Sequence, residues 1–589
     1  MEAGKPQKTR IPEPVDNIQV NFCKNPSCTN FGVPASLNPQ PRGPGSEGKE
    51  RDTYTISRGR VGYALLKCDV CGETPPLKSN SAIGEELTRL KGYLALAHRI
   101  VSCPNEQCEN HGIDITQRQH YYPHGKTKSG SMRYKCRLCR KVFSVGVSTV
   151  HQKKPHKNIE IFRLLVNKMP FKRICDAADI SMPTLYDKID FLHKQCLAFA
   201  ASRERKLFES MPIKRLYIGV DRQDYMVNWT NTTDKRNVIL HAVGSSDNET
   251  GYVFGLHLNF DPALDSDQVE KDAEACGDYA VKSPFRKYAR IWLLRDYHEA
   301  TKASFKRRRL ETYGTLLEEI AETYEEAQRR EDIEVFEGQD FDTKLPANGM
   351  QVHAEYTLYG HFFFLKKLLG GADKVRFYLD QDSGMRAACL GTFADEIKQG
   401  KCDAFYVRIN RDMTITDRKR MMASCRMELQ RMKEKYPGYK DSAVKLLIIK
   451  ERMKEVMHFG KWKDKWIYHP FPNMGEPEKA MCYLTDIQNY DEDHLAWLYN
   501  KASLHAINRF FMQIRRRLSL LERPIATPSR IGRKWYGYNA YNPGVIIKLL
   551  DIFRVFYNYI EAGKDRQTPA MRLGLAKGKR RMEDIIYYK

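Results

Sequence analysis

Eight of the 15 cysteines in this chain occur as four close pairs, Cys23/Cys28, Cys68/Cys71, Cys103/Cys108 and Cys136/Cys139, spaced C-x4-C, C-x2-C, C-x4-C and C-x2-C. The segment Cys23-Lys24-Asn25-Pro26-Ser27-Cys28 is echoed by Cys103-Pro104-Asn105-Glu106-Gln107-Cys108, and each is followed, after a basic stretch, by a C-x2-C knuckle. Two tandem modules of four thiolates result. Short knuckles bring soft sulfurs to one ion, and four of them close a tetrahedral site, so each module is expected to hold a structural Zn²⁺. A disulfide framework is the weaker reading, because the N-terminus lacks the apolar stretch of a secretory signal and a reducing cytosol is expected. The knuckles are 39 residues apart in the first module and 27 in the second, and residues 34–52, rich in Pro, Gly and Ser, are expected to form an inserted loop.

The chain has 589 residues, of which 42% are apolar, so several cores can form, and 97 Lys plus Arg against 73 Asp plus Glu give a net charge of +24. An acidic partner follows, nucleic acid ahead of a membrane surface. The longest apolar runs, residues 361–365 and 545–547, end far short of the roughly 18 residues a spanning helix needs. Positive charge concentrates in residues 116–157, which hold eleven Lys or Arg and no acid, with Tyr121, Tyr122, Tyr134 and Phe143 interleaved. A block of one sign on a small zinc module suits a phosphate backbone, with Lys135, Arg137, Arg140 and Lys141 as candidate contacts.

Beyond Pro155 the apolar spacing of Ile159, Ile161, Phe162, Leu164 and Leu165 is helical, a short helix is expected over 171–178, and residues 179–184 form a turn before a helix over 184–195. This pattern predicts a helix-turn-helix in which Thr184, Tyr186 and Lys188 stand near the reading end of the recognition helix.

From Lys214 the period changes. Residues 216–220 read as an apolar strand ending at Asp221, followed by strands over 225–229, 237–243 and 252–260 in an antiparallel meander. A helix over 356–369 leads into a strand over 375–379 that ends at Asp380-Gln381-Asp382, and residues 404–409 form one more. The helix makes the crossover that sets the second acidic strand parallel to the first. Carboxylates at adjacent strand ends repel unless a pKa rises or divalent cations bind, and Mg²⁺ suits hard oxygen ligands. Asp380 and Asp382 share a face in extended chain, which leaves the choice between them open.

These residues together resemble a bacterial insertion-sequence transposase of the DDE type. The resemblance rests on the ribbon from Cys103 to Cys139, the strands bearing Asp221 and Asp380, and a late helix in which Asn508 and Arg515 keep the seven-residue spacing of the family's acid and base. It departs from the family in having Asn508, or His505 on the same helical face, where a Glu is usual, in a 159-residue interval between Asp221 and Asp380, in a second insertion, and in the extra first ribbon. The resemblance implies a multidomain α/β protein: an RNase H-like catalytic core, a mixed sheet flanked by helices, with helical insertions, preceded by two zinc ribbons and a helix-turn-helix. The corresponding organisation is a first ribbon over 1–98, a second over 99–153, a helix-turn-helix over 154–205, a catalytic domain over 206–563 with helical insertions near 264–350 and 411–475, and a basic tail over 564–589.

The activity so implied is two-metal cleavage and strand transfer at transposon ends, using Mg²⁺ or Mn²⁺ held by Asp221, Asp380 or Asp382, and Asn508 or His505. Arg515 would bind a nearby phosphate, and Arg516 and Arg517 would meet DNA. Partners would be double-stranded DNA, as terminal repeats and target, and further copies in a homodimer or larger assembly, with no membrane and a cytoplasmic, nucleoid-associated location in a bacterial cell. Residues 535–538, Trp-Tyr-Gly-Tyr, offer stacking on unpaired bases. Two alternatives are a DNA-binding regulator with an inactive RNase H-like domain, suggested by the missing Glu, and a structure-directed nuclease on the same scaffold.

Overall fold

The computed structural model describes the chain except residues 1–8, 39, 41–50, 59–63, 98–100, 116, 128–130, 146–147, 150–151, 228, 230–237, 307–314, 330–344, 411, 523–539 and 589. Most of the loop expected over 34–52 and the aromatic residues 535–538 therefore lie outside the described residues. The chain divides into two compact units. One comprises Met1–Lys91, Leu207–Arg515 and Leu520–Ile547; the other comprises Gly92–Lys206, Arg516–Ser519 and Lys548–Lys589. Among the described residues no helix is long and apolar enough to cross a membrane.

The first unit is built on an eight-stranded mixed sheet. Its strands are β1 (Ile213–Val227), β2 (Val238–Asp247), β3 (Val253–Leu258), β4 (Ala372–Asp380), β5 (Cys402–Asn410), β6 (Met457–Phe459), β7 (Asp464–Tyr468) and β8 (Glu478–Tyr483), in the order β6-β7-β8-β5-β4-β1-β2-β3. β1, β2 and β3 form the expected antiparallel meander, and β4 runs parallel to both β1 and β5. Leu216, Ile218, Val220, Phe377, Leu379, Phe405 and Val407 are buried in these central strands, because helices cover both faces.

On one face lie α2 (Ala354–Leu368), the crossover into β4, and α3 (Ser383–Thr392). The ring of Phe362 meets that of Phe377 edge to face at 5.6 Å. The other face carries α6 (Glu492–Lys501), whose Leu498 carbonyl accepts from the Tyr378 hydroxyl at 3.2 Å, and α7 (His505–Arg517).

Three sequence expectations change. The strand through Asp221 does not end there: β1 continues to Val227, because Arg222, Gln223 and Asp224 pair with Val243, Ala242 and His241 of β2. The expected turn before Tyr225 is ladder instead. What stops at this point is the parallel neighbour, since the last β4 pair is Leu379 with Val220. The second insertion is also more than helices. After α4 (Ile415–Lys435) and α5 (Asp441–Arg452) it supplies β6 and β7, and with β8 they extend the sheet beyond β5. In the first insertion the described part includes α1 (Leu316–Arg329), where Glu319 pairs with Arg408 of β5 at 2.7 Å and Tyr324 donates to Asp464 of β7. Both insertions thus brace one edge of the sheet.

The first ribbon is packed into this same unit. Its closing helix, Asn80–Lys91, lays Glu86 beside α2, where Arg290, Arg89 and the Thr357 hydroxyl satisfy the buried carboxylate. Gly360 of α2 allows that approach: a Cβ there would lie 2.7 Å from Glu86 Cγ.

In the second unit the ribbon's three-stranded sheet (Tyr121–Lys126, Met132–Cys136, Val142–Val145) precedes helices Asn158–Leu165, Phe171–Ala178 and Met182–Phe208. The last is far longer than the expected 184–195. Its later turns pack on the helix Pro543–Tyr559, with Phe199 against Tyr559 at 5.0 Å and Glu204 paired to Arg554 at 2.6 Å. The expected tail over 564–589 is folded as well, for Ile585 and Ile586 are fully buried and Tyr588 meets Phe199 at 5.6 Å.

Candidate metal centres

Each cysteine module gathers its four sulfurs within 4.8 Å of one another. In the first, Cys23 and Cys71 are 3.4 Å apart and Cys28 and Cys68 3.8 Å; in the second, Cys103 and Cys139 are 3.3 Å apart and Cys108 and Cys136 3.8 Å. A tetrahedral ion with Zn–S bonds of about 2.3 Å needs sulfurs about 3.8 Å apart, so both sets fit zinc.

The supporting groups repeat too. In the C-x4-C loops, Asn25 and Asn105 turn the chain by accepting the amides of Cys28 and Cys108 on their carbonyls, both at 3.0 Å. Asn30 and Asn110, each two residues past the second Cys, donate side-chain N–H to Cys68 and Cys136 sulfur at 3.3 and 3.2 Å. Tyr54 and Tyr121 accept the amides of Cys23 and Cys103 at 3.0 and 2.9 Å and donate to carbonyls of the same loop. The residue after each C-x2-C knuckle has a positive φ, 73° at Gly72 and 58° at Arg140; glycine adopts this freely, whereas arginine is strained there. In the sequence Tyr121 stands out only as an aromatic of the basic block and Tyr54 carries no signal, whereas Asn30 and Asn110 recur at the same offset in the two aligned repeats, Cys28-Thr-Asn-Phe-Gly and Cys108-Glu-Asn-His-Gly.

Asp221 and Asp380, carboxylates expected from the sequence, lie in the central sheet. Asp221 is 2% exposed, and Asp380 follows Leu379, the residue paired with Val220. The two aspartates therefore each lie one residue beyond the last pair, Leu379 with Val220, that joins these adjacent parallel strands. Alternation along the strands fixes where they point. Tyr378 pairs with Gly219 and faces α6, so Asp380 and Asp221, two residues on in each strand, face the side of α6 and α7. Asp382 goes elsewhere: it accepts the Met385 amide at 2.9 Å as the N-cap of α3 on the opposite face, and its carboxylate is 3.6 Å from Arg222. The two-residue spacing suggested one face for Asp380 and Asp382, but the strand ends at Asp380 and that periodicity ends with it.

Helix α7 lies over β1 and β2 because two glycines let it. A Cβ on Gly244, the partner of Asp221, would come within 2.8 Å of Ile507, and one on Gly219 would meet Ile507 and the Leu504 backbone at 3.5 and 3.6 Å. Further along β1, burial raises the Tyr225 hydroxyl above its ordinary pKa while the Arg515 guanidinium beside it pulls the other way. Leu504 and Ile507 thus lie over β1, and Ile507 and Phe511 over β2, with Asn508 on the same helix one turn after Leu504. Asn508 is half-buried there. His505 is exposed at the first turn, its Nδ1 3.0 Å from the Ser503 hydroxyl. Hence Asp221 and Asp380 stand on the sheet face that α7 covers, and Asp382 and His505 are held by local partners.

One buried acid was not anticipated. Glu476, 2% exposed, accepts the Leu504 amide at 2.8 Å and the Ser503 hydroxyl at 2.7 Å, and pairs with Lys479 at 2.9 Å. Burial alone would raise its carboxyl; the Lys479 ammonium and these donors outweigh burial and hold it below its ordinary value. A negative group here caps α7 and sets its start. It lies 28 residues before Leu504, and no local spacing announces it.

The expected DNA contacts divide. Arg137, Arg140 and Lys141 are exposed, and Lys135 and Arg137 approach the Tyr122 ring at 5.9 and 5.3 Å. Tyr186 is 43% exposed, packed edge to face on Phe171. Thr184 and Lys188 do not fit base reading, because they are 9% and 2% exposed. Thr184 bonds with Ser181 at 2.9 Å, and the Lys188 ammonium donates to Gln152 and to the Lys154 carbonyl at 3.3 and 3.2 Å. These two lie on the helix face that binds the linker from the ribbon. Arg516 is exposed, whereas Arg517 pairs with Glu561 at 2.7 Å and covers the Phe556 ring.

No protein-family model matches the chain, and no curated protein matches it.

Proposed function

We propose that this chain is a DNA transposase of the DDE type, built on an RNase H-like core, which binds transposon ends and cuts and rejoins DNA. The observation that carries the reading is that Asp221 and Asp380 each follow the last paired residues of two adjacent parallel strands, on the sheet face covered by α7, the helix that bears Asn508. Two carboxylates converging from neighbouring strands suit hard divalent cations. Bound Mg²⁺ or Mn²⁺ would activate water or a 3′-hydroxyl and stabilise the leaving oxygen. The chain's own residues divide the remaining tasks: Asp221 and Asp380 offer the anionic ligands, Asn508 a neutral oxygen, Arg515 a fork for a phosphate, and Glu476 the position of the helix that brings Asn508 in. The exposed Arg137, Arg140 and Lys141 would grip the DNA backbone. Joining two ends calls for at least two copies on DNA. The test is incubation of the zinc-loaded protein with DNA carrying its flanking ends and Mg²⁺, with the nicks and joined products mapped. Unchanged cutting by Asp221→Ala would refute the proposal.

A second reading is favoured by one observation. Among the described residues, the groups of three or more His, Cys, Asp or Glu close enough to share an ion are the two cysteine sets, and Asn508 stands where the family carries an acid. A DNA-binding regulator on the same scaffold would bind the ends specifically and cut none under any divalent metal.

A further inference from the structure

At the opposite end of the central strands, where β1 and β4 begin, a cavity of about 410 Å³ is lined by Lys214, Arg215, Asp373, Lys374, Arg376 and Tyr490. Arg215 lies six residues before Asp221 on β1, roughly 20 Å away, so this cavity is separate from the carboxylate pair. It holds four cations, and the acids facing them are Asp373 on the rim and Asp403 beneath.

Asp403 is 1% exposed and fully engaged: it receives Lys374 at 3.0 Å, Arg376 Nε at 3.2 Å, and the hydroxyls of Tyr490 and Tyr483 at 2.8 and 3.2 Å. Arg376, 3% exposed, is fixed on every other side. Its Nη2 meets His494 Nε2 at 3.3 Å, and its guanidinium lies 5.6 Å from the Tyr217 ring and 5.9 Å from that of Trp497. Its Nη1, however, is buried without a hydrogen-bond partner. A buried charged donor left unmade is costly, about 1–3 kcal/mol or more, and calls for an acceptor. Tyr490 is itself set by a parallel stack on His494, 4.4 Å between centroids.

We infer that this cavity binds a phosphate group. A phosphate carries up to about two negative charges and three acceptor oxygens, which matches the surplus cations and the spare Arg376 donor. The planar guanidinium, already oriented by Asp403 and His494, is preorganised to donate through Nη1 to a phosphate oxygen, while Lys214, Arg215 and Lys374 supply charge around it. The same chemistry serves a phosphate of the DNA backbone or a free phosphate ester.

Titration of the full-length, zinc-loaded protein with inorganic phosphate, followed by tryptophan fluorescence because Trp497 adjoins Arg376, tests this. Saturable binding is expected, weakened roughly tenfold or more by Arg376→Lys and by the exposed double change Lys214→Gln/Arg215→Gln. The double variant changes only rim side chains, so its melting curve should match that of the parent even if Arg376→Lys folds poorly. A labelled DNA duplex separates the sources. Phosphate that displaces DNA from the parent protein identifies a backbone contact; phosphate that binds without displacing DNA identifies a free phosphate ester. Equal phosphate affinity in the parent and the double variant, or no saturable binding together with unchanged DNA affinity, would overturn the inference.

Discussion

Gly244 is the ladder partner of Asp221 across β1 and β2, and the Cβ it lacks would lie 2.8 Å from Ile507 Cδ1 and 2.9 Å from Phe511 Cε1. The absence of one methyl group is what lets α7 settle at the level of Asp221. Ala in a strand ordinarily gains about 0.5–1 kcal/mol over Gly, but overpacking costs about 1–3 kcal/mol, so the clash should win. Gly244→Ala is expected to lower the melting temperature, and Gly244→Val to lower it further. A Val variant that melts like the parent would show that α7 yields without cost.

Asp380, the last residue of β4, and Asp382 beyond it should separate cleanly. Asp380→Asn removes a charge beside Asp221 and is expected to abolish metal-dependent DNA cleavage, as Asp221→Asn would. Asp382→Ala removes the N-cap of α3, costing about 1 kcal/mol in stability, and leaves cutting in place. Nicking assays paired with urea melts distinguish the roles; loss of cutting with Asp382→Ala at full stability would reverse the assignment.

The parallel pairing of the strands that carry Asp221 and Asp380 was legible because these elements announce themselves locally. The apolar runs ending at Asp221 and Asp380 and the helix between them imply parallel neighbours before any coordinates exist. What escaped was set by long-range contacts. β8 is Glu-Lys-Ala-Met-Cys-Tyr, without a β-branched residue, and is a strand only because β5 and β7 pair with it on either side. Lys188 reads as a basic residue on a recognition helix, yet the linker bearing Gln152 and Lys154 folds over it. The choice between Asp380 and Asp382 turned on one fact that spacing does not carry, where the strand stops and the cap begins.

His361 on α2 is fully buried, its Nδ1 2.9 Å from His257 Nδ1 and its Nε2 without a hydrogen-bond partner, and burial pushes its pKa down to about 3. In the unfolded chain an imidazole titrates near pH 6.5. The folded value is the lower one, so the unfolded state takes up the proton first. Stability is therefore complete above about pH 6.5 and falls as pH drops toward 3, by up to about 1.4 kcal/mol per pH unit. His361→Leu is expected to flatten this part of the profile. Urea midpoints at pH 7.5 and pH 5 measure it; equal slopes for parent and variant would assign the acid sensitivity to other groups.

The two cysteine centres, alike in geometry, should differ in what their loss does. Cys23→Ser and Cys103→Ser are each expected to reduce bound zinc from two ions per chain to one, read by metal analysis of the purified protein. The first ribbon leads into the helix that buries Glu86 against Arg290 and α2, so its loss strips partners from a carboxylate with no exposure and should lower the melting temperature of the unit containing the central sheet. The second ribbon contributes Arg137, Arg140 and Lys141 instead, all exposed, and shares its unit with the helices that follow it. Cys103→Ser should leave the sheet's melting transition unchanged while weakening DNA binding and reducing its salt dependence, because fewer phosphates would be neutralised. If both variants lowered the same melting transition equally, the ribbons would be interchangeable braces and the basic module would not be the DNA grip.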